Sequence, residues 1–268
     1  MITQPLPPLL LVGGGKMGSA MLAGWRNRGV SHVMVVDPSE AALGLAGPDV
    51  TVILSLTAVP AEFAPECVVL AVKPQQAGAV LPAVAPFSKS LFVSIMAGKT
   101  VAGLRTALGN AAVVRAMPNT PAAIGRGITV GFAGPGVSEA QRALADTLLA
   151  AVGEVAWVQD EALIDPVTAI SGGGPAYVFL LAELLEAAGL EQGLGPALAR
   201  QLARATVAGS GALLAASEQD AADLRVAVTS PSGTTERALR VLMASEAWPA
   251  AVSAAIAAAT ARSRELGG

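Results

Sequence analysis

Leu9-Leu10-Leu11-Val12 runs directly into Gly13-Gly14-Gly15-Lys16-Met17-Gly18, and a helical pattern from Lys16 to Arg28 follows. Four consecutive apolar residues read as a buried strand. The glycines match G-x-G-x-x-G at the point where that strand becomes a helix. Gly13 permits the tight turn, Gly15 lets the backbone approach a pyrophosphate, and Gly18 lets the helix pack close on the strand. The first-turn N–H groups of the helix then bind the phosphates, which makes Gly13, Gly15, Lys16, Met17 and Gly18 candidate cofactor contacts. Val35-Val36 ends in Asp37, about 20 residues past the loop, where a carboxylate bonds the adenosine ribose 2′-OH. Asp37 mildly favours NADH over NADPH by repelling a 2′-phosphate, while Ser39 beside it can still accept one.

Working outward, continuous apolar runs at Leu9–Val12, Val33–Val36, Val50–Leu54, Val68–Val72, Leu91–Ile95 and Ala112–Arg115 have the length of buried parallel strands. Helical patterns lie between them at Lys16–Arg28 and Gln75–Val84. Ser138 caps a helix through Ala151, and Val155–Val158 reads as a last strand. After Asp160 the β-branched runs stop and long helical segments take over: Tyr177–Glu191, Pro196–Ser217, Ala221–Ala227, Thr234–Ser245 and Pro249–Glu265. The expected organisation is therefore an α/β, Rossmann-type dinucleotide-binding domain over 1–160 and an all-α domain over 161–268.

Of 268 residues, 53% are hydrophobic and 14% charged, with a mean hydropathy of +0.59, so a membrane has to be considered. A spanning helix needs about 20 predominantly apolar residues. The longest charge-free stretch, Pro166–Ala182, carries Ser171-Gly172-Gly173-Gly174-Pro175 in its middle, and no membrane partner is expected. Aromatic residues are 3% and the net charge is −3, which offers neither a basic face nor stacking rings for nucleic acid. The single cysteine, Cys67, forms no internal disulfide, and a cytoplasmic protein is expected. No metal-ligand set is read from the sequence.

Hydride transfer to a carbonyl calls for a proton donor titrating near neutrality, usually His or a tuned Lys. The one histidine, His32, stands at the start of the second strand, and the four lysines are Lys16, Lys73, Lys89 and Lys99. The helical half thus has no Lys, His or Cys. Reduction of an imine fits this inventory, because the C=N nitrogen is basic enough to arrive protonated from solvent. The protein then has to orient an iminium carbon against a nicotinamide.

Six motifs, in order, carry a resemblance: GGGKMG (13–18), LAVKPQ (70–75), SIMAG (94–98), RAMPNTP (115–121), DPVTAISGGGPAY (165–177) and VTSPSGTTERAL (228–239). Over nearly its whole length the chain resembles the pyrroline-5-carboxylate reductases. The resemblance implies NAD(P)H-dependent reduction of L-1-pyrroline-5-carboxylate to L-proline. It places the nicotinamide among Val72, Lys73, Pro74, Ala97 and Gly98, with Met117, Pro118 and Asn119 closing over it. It puts the substrate carboxylate on Ser230, Gly233, Thr234 and Thr235, and makes Thr168, Glu218 and Thr235 candidate catalytic side chains. It also implies a homodimer through the helical half, which acts as a dimerisation domain, and larger homo-oligomers up to a decamer. Two rival functions share the same residues, namely a reductase of a six-membered cyclic imino acid and a dinucleotide-binding sensor without turnover. The chain departs from the family at Ser232, where a glycine is usual, at Ala58, where an Asn is common, and at Met243, where a polar residue is usual. If position 232 requires φ > 0, Ser costs on the order of 1 kcal/mol there.

Overall fold

The structure, a computed structural model, describes residues 6–267. Six strands form a parallel sheet: β1 (Leu9–Val12), β2 (Val33–Val36), β3 (Val50–Ile53), β4 (Cys67–Leu70), β5 (Leu91–Ser94) and β6 (Val113–Met117). Two further strands, β7 (Gly127–Ala133) and β8 (Gly153–Val158), extend it to the order β3-β2-β1-β4-β5-β6-β7-β8. β7 runs antiparallel to β6, and β8 parallel to β7. Because side chains alternate across a strand, β1 feeds two cores. Leu9 and Leu11 pack with Met21, Leu22 and Trp25 of α1 (Lys16–Arg28) and with Leu148 of α4 (Glu139–Leu149). Leu10 and Val12 pack instead with Leu81 of α2 (Ala77–Val84) and Leu104 of α3 (Val101–Ala107). The Trp25 indole N–H donates to the Leu148 carbonyl at 2.9 Å, which locks α1 to α4. Ser138 caps α4, and Gln141 reciprocates at the Ser138 N–H.

Strand β7 was not foreseen from the sequence. It contains two glycines, which weaken a strand pattern, and one of them is there for a ring. Gly131 is in register with Trp157 of β8, and a β-carbon on Gly131 would lie 2.8 Å from the indole. By compactness the chain divides elsewhere than at the expected 160/161 boundary. The first compact unit runs on to Gly172 and takes in residues 259–268, leaving 173–258 as the second. The segment after Asp160, which includes α5 (Ile164–Val167) and a π-helical turn (Thr168–Gly172), stays with the sheet because Ile164 is buried against Met117 and Val130.

The second unit is helical: α6 (Gly174–Glu191), α7 (Pro196–Ala216), α8 (Ala221–Ala227), α9 (Thr234–Leu242) and the first part of α10 (Trp248–Gly267). α6 and α7 form a hairpin in which Gly189 admits Ala199, whose β-carbon would stand 3.3 Å from a side chain added at Gly189. Small residues bring these helices close but bury little. α6 has no buried residue, and Phe179, Leu184, Leu213, Val241 and Val252 are exposed in the single chain. The Ser171–Pro175 stretch does not interrupt the helix as expected. It becomes the π-helical turn and the start of α6, where Pro175 has no N–H to lose. The resulting run, 161–191, is long and apolar enough to cross a membrane by length and composition.

Gly131→Ala should lower the stability of the α/β unit by about 1–3 kcal/mol through overpacking against Trp157. The measurement is the urea midpoint at unchanged m-value.

Candidate active site

Gly13 takes φ +104°, and a β-carbon there would lie 2.5 Å from the Ala71 carbonyl oxygen. A β-carbon on Gly18 would fall 2.0 Å from the Gly13 carbonyl oxygen. Both glycines are therefore sites of close backbone approach, as the motif reading expects. Gly15 differs, since nothing stands within 4 Å of its missing side chain and no side chain caps the helix it opens. An open glycine at an uncapped N-terminus of a 13-residue helix fits a dinucleotide pyrophosphate. Asp37 closes the loop from the end of β2. Its carboxylate accepts the Gly14 N–H at 2.7 Å and the Ser39 N–H at 2.9 Å. A carboxylate has about four lone-pair positions, so acceptor capacity remains for a ribose hydroxyl.

The other strand ends line up beside this loop, at the carboxyl edge where open α/β sheets bind ligands. Lys73 follows β4, is exposed, and caps a short turn beginning at Pro74, its N–H donating to Gln76 Oε1 at 3.2 Å. Gly98, after β5, is buried with φ +71°, and a β-carbon there would meet the Leu266 carbonyl oxygen at 2.6 Å. Its small size thus admits the chain's own last helical turn, while Ala97 beside it stays exposed. Met117 and Pro118 are buried at the end of β6. The side-chain oxygen of Asn119 accepts the Ile128 N–H at 2.9 Å, anchoring the turn into β7. Thr168 comes to the same place. Its hydroxyl donates to the Ile164 carbonyl at 2.7 Å, and a side chain at Gly172 would lie 3.6 Å from Thr168 Cγ2 and 3.8 Å from Met117 Sδ.

In the helical unit, Ser230–Gly233 opens α9. Ser232 takes φ +58°, so the position does require the left-handed region that the family's glycine supplies. Its N–H donates to the Glu236 carboxylate, which Arg240 holds at 3.2 Å, and the Gly233 N–H donates to the Ser230 carbonyl at 3.0 Å. Two loop N–H groups are thereby used internally. The hydroxyls of Ser230, Thr234 and Thr235 make no hydrogen bond among the described residues, nor does the Glu218 carboxylate in the exposed turn after α7.

Two other features stand apart from this chemistry. The His32 ring bonds Thr51 Oγ1 at 3.1 Å and stacks edge-on against Phe63, at the strand start and so at the opposite end of β2 from Asp37. Cys67 is buried in β4, and burial pushes its thiol far above the ordinary range, so it is no nucleophile. A groove of about 1140 Å³ lined by Pro8, Glu66 and Ser90 lies at the strand starts and takes no part in the site.

The sheet order, the glycine turn and the strand-end loops define a nicotinamide-dinucleotide oxidoreductase. Two family models divide the chain, one described as NADP oxidoreductase, coenzyme F420-dependent, over residues 9–98 and one as pyrroline-5-carboxylate reductase dimerisation over 161–266. The chain is 41% identical over 266 residues to the pyrroline-5-carboxylate reductase of Pseudomonas aeruginosa, covering 97% of each. It is 37% identical over 286 residues to that of Mycobacterium tuberculosis, covering 96% of each. The solved Coxiella burnetii pyrroline-5-carboxylate reductase superposes with a TM-score of 0.90 at 33% identity, covering 98% of this chain and 99% of that one. The Plasmodium falciparum enzyme, solved with NADP bound, superposes at 0.81 and 29% identity, covering 98% of both. The chain belongs to the pyrroline-5-carboxylate reductase family.

The two glycine environments separate folding from binding. Gly13→Ala should cost about 2–4 kcal/mol of stability from positive φ and backbone overlap. Gly15→Asp should leave the urea midpoint unchanged, because the site is open, yet weaken NADH binding at least tenfold by fluorescence titration, because its charge opposes the pyrophosphate.

Proposed function

We propose that the protein reduces L-1-pyrroline-5-carboxylate to L-proline, the last step of proline biosynthesis, using NADH or NADPH. The observation that carries this reading is the Ser230–Thr235 loop, whose four hydroxyls, on Ser230, Ser232, Thr234 and Thr235, make no hydrogen bond among the described residues at the head of α9, in a chain whose first unit has an open dinucleotide turn. The nicotinamide, when bound, supplies the hydride. The protein's part is orientation. Gly13, Gly15, Lys16, Met17 and Gly18 hold the pyrophosphate at the dipole end of α1. Val72, Lys73, Pro74, Ala97, Gly98, Met117, Pro118 and Asn119 wall the nicotinamide pocket. Ser230, Gly233, Thr234 and Thr235 fix the substrate carboxylate. Thr168 and Glu218 serve the ring, Thr168 by hydrogen bonding and Glu218 by stabilising the iminium charge. No side chain has to donate a proton near neutrality, since the imine nitrogen brings its own.

Asp37 inclines the cofactor choice to NADH. Its carboxylate is pinned at the loop by two N–H donors, so a 2′-phosphate meets a fixed like charge.

The helical half supports a homodimer. Its long helices expose Phe179, Leu184 and Leu213 in the single chain, and an apolar surface of this extent marks an interface. The reading includes a soluble, cytoplasmic protein. Of the apolar run 161–191, residues 161–172 belong to the α/β unit, and Glu161 there is ion-paired to the buried Arg115.

Absorbance assays with pyrroline-5-carboxylate and each cofactor test the activity. Turnover is expected with kcat/KM higher for NADH than NADPH, and Thr235→Ala should raise the substrate KM about tenfold while leaving the NADH KM within twofold. Absence of turnover on the five-membered ring would overturn the reading, whether or not a six-membered imino acid is reduced. Sedimentation at micromolar concentration should show a dimer or a larger assembly built from dimers, and a folded, active monomer would refute the dimer.

A further inference from the structure

Arg115 on β6 is only 4% exposed, yet it lies at the centre of a charged cluster. Its Nη1 donates to Glu161 Oε1 at 2.9 Å, and its Nη2 lies 4.0 Å from Asp165 Oδ1. Each carboxylate holds a second group. Glu161 Oε1 accepts the Val101 N–H at the head of α3 at 2.8 Å, and Asp165 Oδ1 accepts the hydroxyl of Ser263, on α10, at 2.8 Å. The Arg115 Nε is buried without a partner. A buried ion pair is weak evidence for stability, because apolar residues of similar volume often do as well. What it supplies is direction, since one planar guanidinium aims one nitrogen at Glu161 and another toward Asp165.

The cluster has a second rung two residues further along the strand. Arg115 and Met117 share one face of β6, being i and i+2. On the facing segment Asp165 and Thr168 are i and i+3, neighbours on a helical surface. Met117 and Thr168 both border Gly172, at 3.8 and 3.6 Å from the place a β-carbon there would take, so the pair two residues on from Arg115 and three on from Asp165 flanks that glycine. Ile164, next to Asp165 in the chain, is fully buried against Met117 and Val130.

We propose that Arg115 is a positioning residue for the reduction: by hydrogen-bonding Glu161 and facing Asp165 with its second nitrogen it sets residues 161–172 in register on β6, so that Thr168 and Met117 are held on either side of Gly172. The proposal rests on the functional reading above, in which Met117 walls the nicotinamide pocket and Thr168 serves the substrate. Arg115 itself touches neither. Ser263 extends the grip to the end of α10.

Two variants and two readouts test it. Arg115→Lys keeps the charge and loses the fork; Asp165→Asn keeps an acceptor for Ser263 and loses the charge facing the guanidinium. In the cofactor-free protein, amide hydrogen exchange over 164–172 should quicken at least tenfold in either variant while β1, β4 and β5 keep their protection. With substrates, kcat should fall about tenfold or more, NADH affinity should stay within twofold, and the double variant should be no worse than the poorer single, since both break one unit. Faster exchange with unchanged kcat would show the cluster to be purely structural and overturn the proposal, as would a fall in kcat without faster exchange. If Arg115→Lys does not fold, Asp165→Asn decides by the same two readouts. A wild-type protein inactive on pyrroline-5-carboxylate would instead refute the functional reading, while the exchange measurement still reports whether Arg115 sets the register of 161–172.

Discussion

Everything at the ligand edge of the sheet depends on one close approach of backbone to backbone. Gly13 turns the chain with φ +104° against the Ala71 carbonyl, and Gly18 brings α1 to within contact of the Gly13 carbonyl. No side chain fits at either place. Once that turn is made, the N-terminus of α1 sits at the carboxyl ends of β1 and β4, and Asp37 reaches the Gly14 N–H from the end of β2. The strand-end loops at 73, 98 and 117 follow from parallel pairing, which brings their strands to the same edge in register.

The chemistry follows from what the molecule lacks as much as from what it holds. The sole histidine is occupied at a strand start, the sole thiol is buried in a strand, and the second half has no lysine. The proposed imine substrate carries its own proton, and on that reading the protein's contribution is placement. The Arg115 cluster belongs to that economy of placement, because it spends buried charge on direction.

The helical half shows the opposite balance between surface and core. Alanine and glycine let α6 and α7 come close at Gly189 and Ala199, but few side chains there are large enough to bury much area within one chain. The large residues it does have, among them Phe179 and Leu184, point their apolar area outward. A second copy is the natural cover for such a surface.

Much of this was legible in the order of residues. The six parallel strands, α1 from Lys16 to Arg28, the Ser138 cap and the cofactor turn all rest on local signals, namely apolar runs, glycine spacing and a capping serine, whose physics acts over a few residues. At Ser232 the sequence marked only a departure from the family's usual glycine, and the structure supplied the positive φ. Other features needed the fold. Strand β7 was hidden because Gly131 answers to Trp157, 26 residues away in sequence. The extension of the first unit to Gly172 rests on Ile164 meeting Met117 and Val130. That Gly98, besides its place at the ligand edge, admits the Leu266 carbonyl could not be read from its neighbours. The partners of Arg115 and Asp165 lie 46 and 98 residues away. The sequence by itself determined the six parallel strands, the long helices and the kind of cofactor, because those follow from neighbours along the chain. Only the tertiary structure decided which side chains share a buried charge or a close contact, because that depends on which distant segments the sheet brings together.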